Sequence, residues 1–97
     1  MNRTKNIVIA GAGSIGTALG HILASDSSLR VILLTIEPEV ADTINSIQIN
    51  QKYFPGIRLH PQLKATTGEY VLQDADMIFM AIPSVAVEDY ISQNMNH

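Results

Sequence analysis

The 97-residue sequence contains no cysteine and no tryptophan, and aromatic residues make up only 5% of it. Without cysteine the chain can form neither disulfides nor iron–sulfur clusters, and it has no thiolate nucleophile. Lysine and arginine number six against nine acidic residues, so the formal net charge is −3. Because nucleic-acid-binding domains usually present a basic face, this charge argues against a nucleic-acid partner. The three histidines have no metal-ligand spacing, and no metal site is predicted.

Long hydrophobic runs are also missing. No stretch approaches the ~20 apolar residues that a membrane-spanning helix needs. The N-terminus is polar up to Asn6, and glycines interrupt the apolar run that follows, so no signal peptide is predicted. The hydrophobic fraction of 46% and the charged fraction of 15% are those of an ordinary globular chain. We therefore expect one soluble, cytoplasmic domain over residues 1–97.

The most informative segment that is present is IVIAGAGSIGTALG, at residues 7–20. Its first four residues are apolar and mostly β-branched, which predicts a parallel strand buried on both faces. After the glycines, apolar residues recur at helical spacing. They predict a helix whose buried stripe consists of Ile15, Ala18, Leu19, Ile22 and Leu23.

The three glycines of this segment fit the turn that seats a dinucleotide. Gly11 would permit a tight turn off the strand, Gly13 a close approach of the backbone to a pyrophosphate, and Gly16 a helix lying close on the strand. The free N–H groups and positive dipole at the start of the helix would hold the anion. The alternative is a turn that only packs a helix onto a sheet. The strand before the glycines and the helix after them favour dinucleotide binding.

The rest of the chain alternates short apolar segments with helical patterns. Pro38 suits the first position of a second helix, which has Val40, Ile44 and Ile47 on its apolar face and ends near Asn50. Further strands are predicted at residues 30–35, 64–65 and 77–82. Residues 51–61 contain two prolines and a glycine and predict a loop whose apolar anchors are Tyr53, Phe54, Ile57 and Leu59.

Two helix starts are predicted in the second half of the chain. Thr66 and Glu69 fit a capping box before a short helix. Pro83 ends the fourth strand, and Ser84 can cap a last helix.

This alternation predicts an α/β fold, a Rossmann-type parallel sheet that is partly doubly wound. The expected strand order is 3-2-1-4, with the cofactor crevice between strands 1 and 4. The fourth strand would then be an edge, although its composition is that of a central strand. Because an open apolar edge invites pairing, we expect the chain to be part of a larger protein or to form a homo-oligomer through this edge.

Residues 11–19 resemble the opening of the NAD(P)-dependent glycerol-3-phosphate dehydrogenases. Three further segments match that family in order and spacing, at residues 37–39, 50–57 and 81–84. The segment NQKYFPGI at residues 50–57 is the most specific, since a generic Rossmann domain does not need it. The resemblance covers residues 5–92 but corresponds only to the N-terminal part of a family member.

The resemblance implies the NAD-binding domain of an enzyme that interconverts dihydroxyacetone phosphate and sn-glycerol 3-phosphate by hydride transfer. That reaction belongs to glycerol-3-phosphate metabolism and phospholipid biosynthesis. In the family, the catalytic lysine and most contacts to the phosphorylated substrate come from a helical C-terminal domain, which lies beyond these 97 residues. We therefore predict no catalytic residue here, and expect the isolated chain to bind the cofactor without turning over substrate.

The resemblance also implies roles for individual residues. Gly11, Ser14, Ile15 and Gly16 would contact the pyrophosphate together with Gly13. Phe54 would lie near the nicotinamide and keep water off the hydride path. Pro83 and Ser84 would line the other side of the cleft. Two simpler roles stand beside these, since Phe54 could plug the loop onto the core and Ser84 could only cap a helix.

The choice of cofactor depends on the end of the second strand, at Thr35, Ile36 and Glu37. An acidic residue there binds the ribose hydroxyls of NAD, whereas an arginine favours the extra phosphate of NADP. Glu37 lies close to the expected offset from the glycines, and Ile36 stands where many family members have a basic or polar residue. No cation follows nearby in the sequence, and Lys52 and Lys64 are expected on solvated faces. These features favour NAD, with NADP possible, although Glu37 could instead be a solvated residue at a helix start.

Two other functions fit part of the pattern. A stand-alone NAD-sensing module would suit the length, and a fragment of another two-domain dehydrogenase, such as a ketopantoate reductase, would share the glycine turn. Neither accounts for the segment at residues 50–57.

Overall fold

The computed structural model describes residues 4–81, which form a parallel sheet with helices. In chain order the elements are β1 (Lys5–Ala10), α1 (Ser14–Leu23), β2 (Leu29–Leu34), α2 (Pro38–Ile47), β3 (Lys64–Thr66), a 3₁₀ helix (Glu69–Leu72) and β4 (Met77–Met80). The strand order is β3-β2-β1-β4, and every pairing is parallel. The predicted fold class and strand order are therefore confirmed. The last helix, predicted after Pro83, lies outside the described residues.

The register places the ends of three strands at one edge of the sheet. Ala10, the last residue of β1, pairs with Leu34 of β2 on one side and with Met80 of β4 on the other. The glycine segment follows Ala10 directly. It therefore leaves the sheet at the carboxyl ends of the strands, which is where ligands bind in open α/β sheets.

The strand β1 is the centre of the sheet and of the core. Ile7, Val8 and Ile9 are at most 5% exposed, as expected for a strand covered on both faces. In β2, Val31 and Leu33 are buried beside them. This continuous apolar packing holds the edge that carries the glycine segment.

The buried face of α1 differs from the predicted stripe. Ile15 is 79% exposed and Ile22 is 65% exposed, whereas the helix buries Gly16, Thr17 and Gly20. A Cβ on Gly20 would lie 2.9 Å from Leu33 Cδ2. The helix lies so close to the sheet that the smallest residues occupy the contact, and the larger apolar residues are displaced to its flanks. Leu19 and Leu23 keep part of their predicted role, since they pack, partly buried, against the core.

The helix α2 begins at Pro38 as predicted and ends at Ile47. Val40 and Ile44 are buried, at 1% and 0% exposure, but Ile47 is 45% exposed. Ile47 is the last residue of the helix, and the chain turns away at Gln48, which adopts a left-handed conformation with φ 63°. The apolar face is therefore one turn shorter than predicted.

The predicted capping box at Thr66 and Glu69 is wrong. The 3₁₀ helix begins after Gly68, which occupies the N-cap position. The Thr66 hydroxyl instead accepts a hydrogen bond from the Gly68 N–H at 3.0 Å. The Thr66 oxygen is thus used in a local turn, and it lies two residues before the N-cap, so it does not cap the helix.

The edge strand β4 carries exposed apolar side chains. Met77, Ile78 and Met80 are between 43% and 52% exposed. The predicted strand order placed this strand at an edge, although its composition is that of a central strand. Among residues 4–81, no helix is long and apolar enough to cross a membrane.

Candidate functional site

The glycine segment forms a tight turn between β1 and α1. Gly11 has φ 123°, a backbone conformation that side chains disfavour, and its N–H donates to the Leu34 carbonyl at 2.8 Å. A Cβ on Gly16 would clash with the Gly11 carbonyl oxygen and lie 3.2 Å from Ala81 Cβ. Gly11 and Gly16 are thus required by the turn and by helix packing.

Gly13 has a different environment. Apart from its chain neighbours, no atom of residues 4–81 would lie within 4 Å of a Cβ placed on it, and its φ of −75° is open to any residue. The fold of the chain therefore does not require glycine at this position. A pyrophosphate that approaches the backbone closely needs open space over a glycine, so the glycine turn fits the predicted ligand.

The start of α1 adds the electrostatics of an anion site. Gly13 occupies the N-cap and has no side chain with which to cap the helix, and no acidic residue lies in the first turn. Ser14 and Ile15, the first two helical residues, are exposed. The first N–H groups of a helix have no intrahelical partner and carry the positive end of the dipole. They can therefore donate to an anion placed at Gly13.

The loop after α2 is attached to this turn by a buried polar cluster. The Asn50 Nδ2 donates to the Ala12 carbonyl and to the Thr17 Oγ1, both at 2.8 Å. The Asn50 Oδ1 accepts the Tyr53 N–H at 3.1 Å, and the Thr17 hydroxyl donates to the Ala12 carbonyl at 3.3 Å. Asn50 and Thr17 are both 0% exposed. Sequence reasoning missed both residues, although Asn50 opens the segment that carries the resemblance.

A second cluster lies at the end of β2, around Glu37. The Glu37 Oε1 forms an ion pair with Lys52, and its Oε2 accepts the Tyr53 hydroxyl at 2.6 Å. The Lys52 Nζ also lies 5.2 Å from the centre of the Tyr53 ring. The hydrogen bonds from Lys52 and then Tyr53 lower the pKa of Glu37, and the bond to Glu37 raises the pKa of Lys52. Glu37 is therefore ionised and held in one position.

Lys52 is exposed, as predicted, and its ion pair with Glu37 is a contact that the sequence did not predict. Lys52 lies 15 residues beyond Glu37, and the loop brings it back to the end of β2. Glu37 itself stays partly exposed, at 24% of its side chain. Its remaining oxygen lone pairs stay available, because a carboxylate can accept about four hydrogen bonds.

The other predicted site residues are placed as follows. Ile36 is 94% exposed at the carboxyl end of β2, beside Glu37. Phe54 packs, partly buried, against the core, which is the position of its alternative role as a plug. Pro83 and Ser84 lie outside the described residues. Among residues 4–81, no group of three potential metal ligands occurs. The structure thus brings the glycine turn, Ile36 and Glu37 to one edge of the sheet.

Comparison with known proteins relates this arrangement to one family. The family model described as "NAD-dependent glycerol-3-phosphate dehydrogenase N-terminus" matches residues 6–97. A glycerol-3-phosphate dehydrogenase [NAD(P)+] from Rickettsia akari is 39% identical over the whole chain, and one from Acinetobacter baylyi is 35% identical over 90% of it. The chain spans only 30% and 24% of the lengths of these two curated relatives.

Solved structures show the same relationship. The glycerol-3-phosphate dehydrogenase of Saccharomyces cerevisiae matches 98% of this chain with a TM-score of 0.84 and 25% identity. The enzyme from Coxiella burnetii matches 93% of the chain with a TM-score of 0.80 and 31% identity. The chain covers 31% and 28% of those two structures. With a family model matching from residue 6 to the end, and with the glycine turn in place, the chain belongs to the NAD-dependent glycerol-3-phosphate dehydrogenase family and corresponds to its N-terminal region.

Proposed function

We propose that this chain is the cofactor-binding part of a glycerol-3-phosphate dehydrogenase, an enzyme that transfers hydride between NAD(P)H and dihydroxyacetone phosphate. The observation that carries the proposal is the open space over Gly13 at the start of α1. Nothing in the packing requires a glycine there, whereas a pyrophosphate does. The nicotinamide of a bound cofactor supplies the hydride chemistry. The residues of this chain bind and orient it.

Three parts of the edge would hold three parts of the dinucleotide. The N–H groups of Gly13, Ser14 and Ile15 would donate to the pyrophosphate. Ile36, apolar and 94% exposed, offers a surface on which the adenine can pack. Glu37 would accept the hydroxyls of the adenosine ribose. These residues need no rearrangement of the sheet, because all of them lie at the carboxyl ends of β1 and β2.

NAD is the preferred cofactor in this proposal. The Glu37 carboxylate is ionised, and two of its lone pairs are used by Lys52 and Tyr53. The others can accept ribose hydroxyls, whereas a 2′-phosphate would meet a like charge. Lys52 offsets part of that repulsion, so NADP is expected to bind more weakly rather than be excluded.

Calorimetric titration of the chain with NADH and with NADPH tests this proposal. We expect NADH to bind more tightly. Glu37→Gln should narrow or reverse the difference between the NADH and NADPH affinities. It removes both the strong acceptor for the ribose hydroxyls and the repulsion of the 2′-phosphate. The charge-matched control is Glu69→Gln, which alters an exposed glutamate on the 3₁₀ helix. Binding of neither dinucleotide would refute cofactor binding by this chain, and a preference for NADPH would refute the role of Glu37.

We also infer that the chain alone does not turn over substrate. The catalytic lysine and the contacts to the phosphorylated substrate would come from the C-terminal domain of the family. Purified chain should therefore bind NADH yet leave it unoxidised when dihydroxyacetone phosphate is added. Turnover in a preparation free of longer enzyme would contradict this. A cytoplasmic location and a role in phospholipid biosynthesis are further parts of the proposal, and the second rests on the resemblance alone.

The exposed edge of β4 supports a further part of the proposal. Met77, Ile78 and Met80 would be covered by the rest of the enzyme or by a second copy of this chain. Sedimentation of the purified chain distinguishes the two. A dimer that Ile78→Lys disrupts would favour pairing between copies, and a monomer at all concentrations would exclude it.

The two alternative functions are less well supported. A ketopantoate reductase fragment does not explain a match to a glycerol-3-phosphate dehydrogenase model over residues 6–97. An NAD-sensing module gives no reason for the segment at residues 50–57, which the structure attaches to the glycine turn.

A further inference from the structure

The Ala12 carbonyl in the glycine turn accepts hydrogen bonds from two side chains. It accepts the Asn50 Nδ2 at 2.8 Å and the Thr17 hydroxyl at 3.3 Å. Ala12 is 6% exposed, and both donors are fully buried. The carbonyl is therefore held pointing into the protein, toward the loop that follows α2.

This orientation determines where the next N–H group points. In a trans peptide the C=O of one residue and the N–H of the next point in opposite directions across one plane, and the chain has no cis peptide among residues 4–81. With the Ala12 carbonyl directed inward, the Gly13 N–H is directed outward. Apart from its chain neighbours, no atom of residues 4–81 would lie within 4 Å of a Cβ on Gly13. The space beside the Gly13 Cα is therefore open, and the outward direction of its N–H follows from the inward Ala12 carbonyl.

We propose that Asn50 is a positioning residue for the cofactor: it orients the Ala12–Gly13 peptide so that the Gly13 N–H donates to the pyrophosphate. This inference rests on the proposed function, since it requires a pyrophosphate at the turn. Asn50 does not touch the cofactor. It acts through the peptide that does.

The chemistry of Asn50 suits this role better than that of other residues of its size. Its amide nitrogen has two hydrogens, which go to the Ala12 carbonyl and the Thr17 Oγ1, and its oxygen accepts the Tyr53 N–H. An aspartate would bring an acceptor toward the Ala12 carbonyl, and leucine would leave the Tyr53 N–H without its acceptor and the Ala12 carbonyl with only the longer bond from Thr17. The buried cluster is fully satisfied only with an amide.

Asn50 also links the two halves of the site. The Tyr53 N–H that it holds belongs to the residue whose hydroxyl reaches Glu37. Lys52, between them, forms the ion pair with the same carboxylate. The loop is therefore attached to the pyrophosphate turn at one end and to the ribose side at the other.

The experiment uses the 97-residue chain as wild type, Asn50→Asp and Thr17→Val, with Ile44→Val as a control that alters a buried side chain of α2 and removes no polar group. Each variant is first shown to be folded by circular dichroism. The probes are NADH, ADP and adenosine, of which only the first two carry a diphosphate. Proton–nitrogen NMR spectra follow the Gly13 amide during each titration.

We expect Asn50→Asp to weaken the binding of NADH and of ADP by about tenfold, because one hydrogen bond to a charged group is lost. The affinity for adenosine should change by less than about twofold. ADP should move the Gly13 amide proton downfield in the wild type, and much less in Asn50→Asp. Thr17→Val should weaken the diphosphates in the same direction, because it removes the second donor to Ala12. Ile44→Val should leave all three affinities and the Gly13 shift unchanged.

Two results would overturn the inference. One is an Asn50→Asp chain that keeps wild-type ADP affinity and the full Gly13 shift. The other is an equal loss for adenosine and ADP, which would assign Asn50 a merely structural role. If Asn50→Asp does not fold, the same criteria apply to Thr17→Val. Failure of the wild type to bind NADH or ADP would instead refute the proposed function.

Discussion

Alanine at Gly13 and alanine at Gly16 should have different effects on the stability of the chain. At Gly13 the φ of −75° suits an L residue, and apart from its chain neighbours no atom of residues 4–81 lies within 4 Å of the new methyl group. Alanine at such a position stabilises by about 0.4–1 kcal/mol, because it restricts the unfolded chain. Gly13 is also the N-cap of α1, where glycine is preferred to alanine by a similar amount. We therefore expect Gly13→Ala to change the free energy of unfolding by less than about 1 kcal/mol, and the melting temperature by less than about 8 °C.

At Gly16 the same methyl group would clash with the Gly11 carbonyl oxygen and press on Ala81. Because one neighbour is backbone, the turn or the helix must move, at an overpacking cost of about 1–3 kcal/mol. The higher helix propensity of alanine offsets up to about 1 kcal/mol of this cost. We expect Gly16→Ala to be less stable by about 1–2 kcal/mol, and to melt roughly 4–15 °C lower.

Both substitutions should weaken NADH, but for different reasons. In Gly13→Ala the methyl group occupies the space of the pyrophosphate, so affinity falls by about tenfold or more while stability is kept. In Gly16→Ala the turn itself is displaced. Thermal unfolding and calorimetric titration of the two variants and the wild type measure both effects. A Gly13→Ala chain with wild-type affinity for NADH would refute the assignment of the pyrophosphate to this turn, and unchanged melting of Gly16→Ala would refute the packing argument.

Three further predictions concern packing and charge. Ile44→Ala removes a side chain that is 0% exposed and should destabilise the chain by about 2–5 kcal/mol in chemical denaturation, whereas Ile47→Ala, at 45% exposure, should change stability by less than about 0.5 kcal/mol. Hydrogen bonds lower the pKa of Glu37 and of Asp26, the latter chiefly through Ser28. The stability that each carboxylate contributes is therefore complete above its ordinary pKa, 4.5 for Glu37 and 3.8 for Asp26, and is lost as the pH falls through the lowered pKa. Glu37→Gln and Asp26→Asn should each flatten the loss of stability measured below pH 4.5 and pH 3.8 respectively, and an unchanged acid limb would contradict the stated hydrogen bonds. Gly20→Leu should prevent α1 from packing, because even a Cβ there lies 2.9 Å from Leu33, and native-like circular dichroism with unchanged melting would contradict this.

The elements of the fold were predictable because their signals are local. The β-branched run before Gly11, the proline that begins α2 and the apolar run of β4 each specify an element within a few residues. Alternation of strands and helices then limits the topology to few choices, and the order β3-β2-β1-β4 was among them. The capping box failed for an equally local reason, since the Thr66 hydroxyl bonds the Gly68 N–H and not a helix end.

The buried face of α1 was not predictable from periodicity. Ile15 and Ile22 have the spacing of a core stripe, yet both are exposed, and Gly16 and Gly20 face the sheet. Apolar spacing alone does not report how close a helix lies to its sheet. Where a helix lies close to its sheet, the smallest residues occupy the contact, because a larger side chain would meet Leu33 and Leu63.

By itself, the sequence determined the fold class, the place of the glycine turn and the resemblance to a family. These depend on periodicity, on backbone conformation and on residue order, which are properties of neighbouring residues. Only the tertiary structure decided that Asn50 holds the Ala12 carbonyl, 38 residues away, and that Lys52 and Tyr53 hold Glu37. Such contacts arise when a loop closes over the ends of the strands, and no local pattern in the chain specifies which polar groups will meet there.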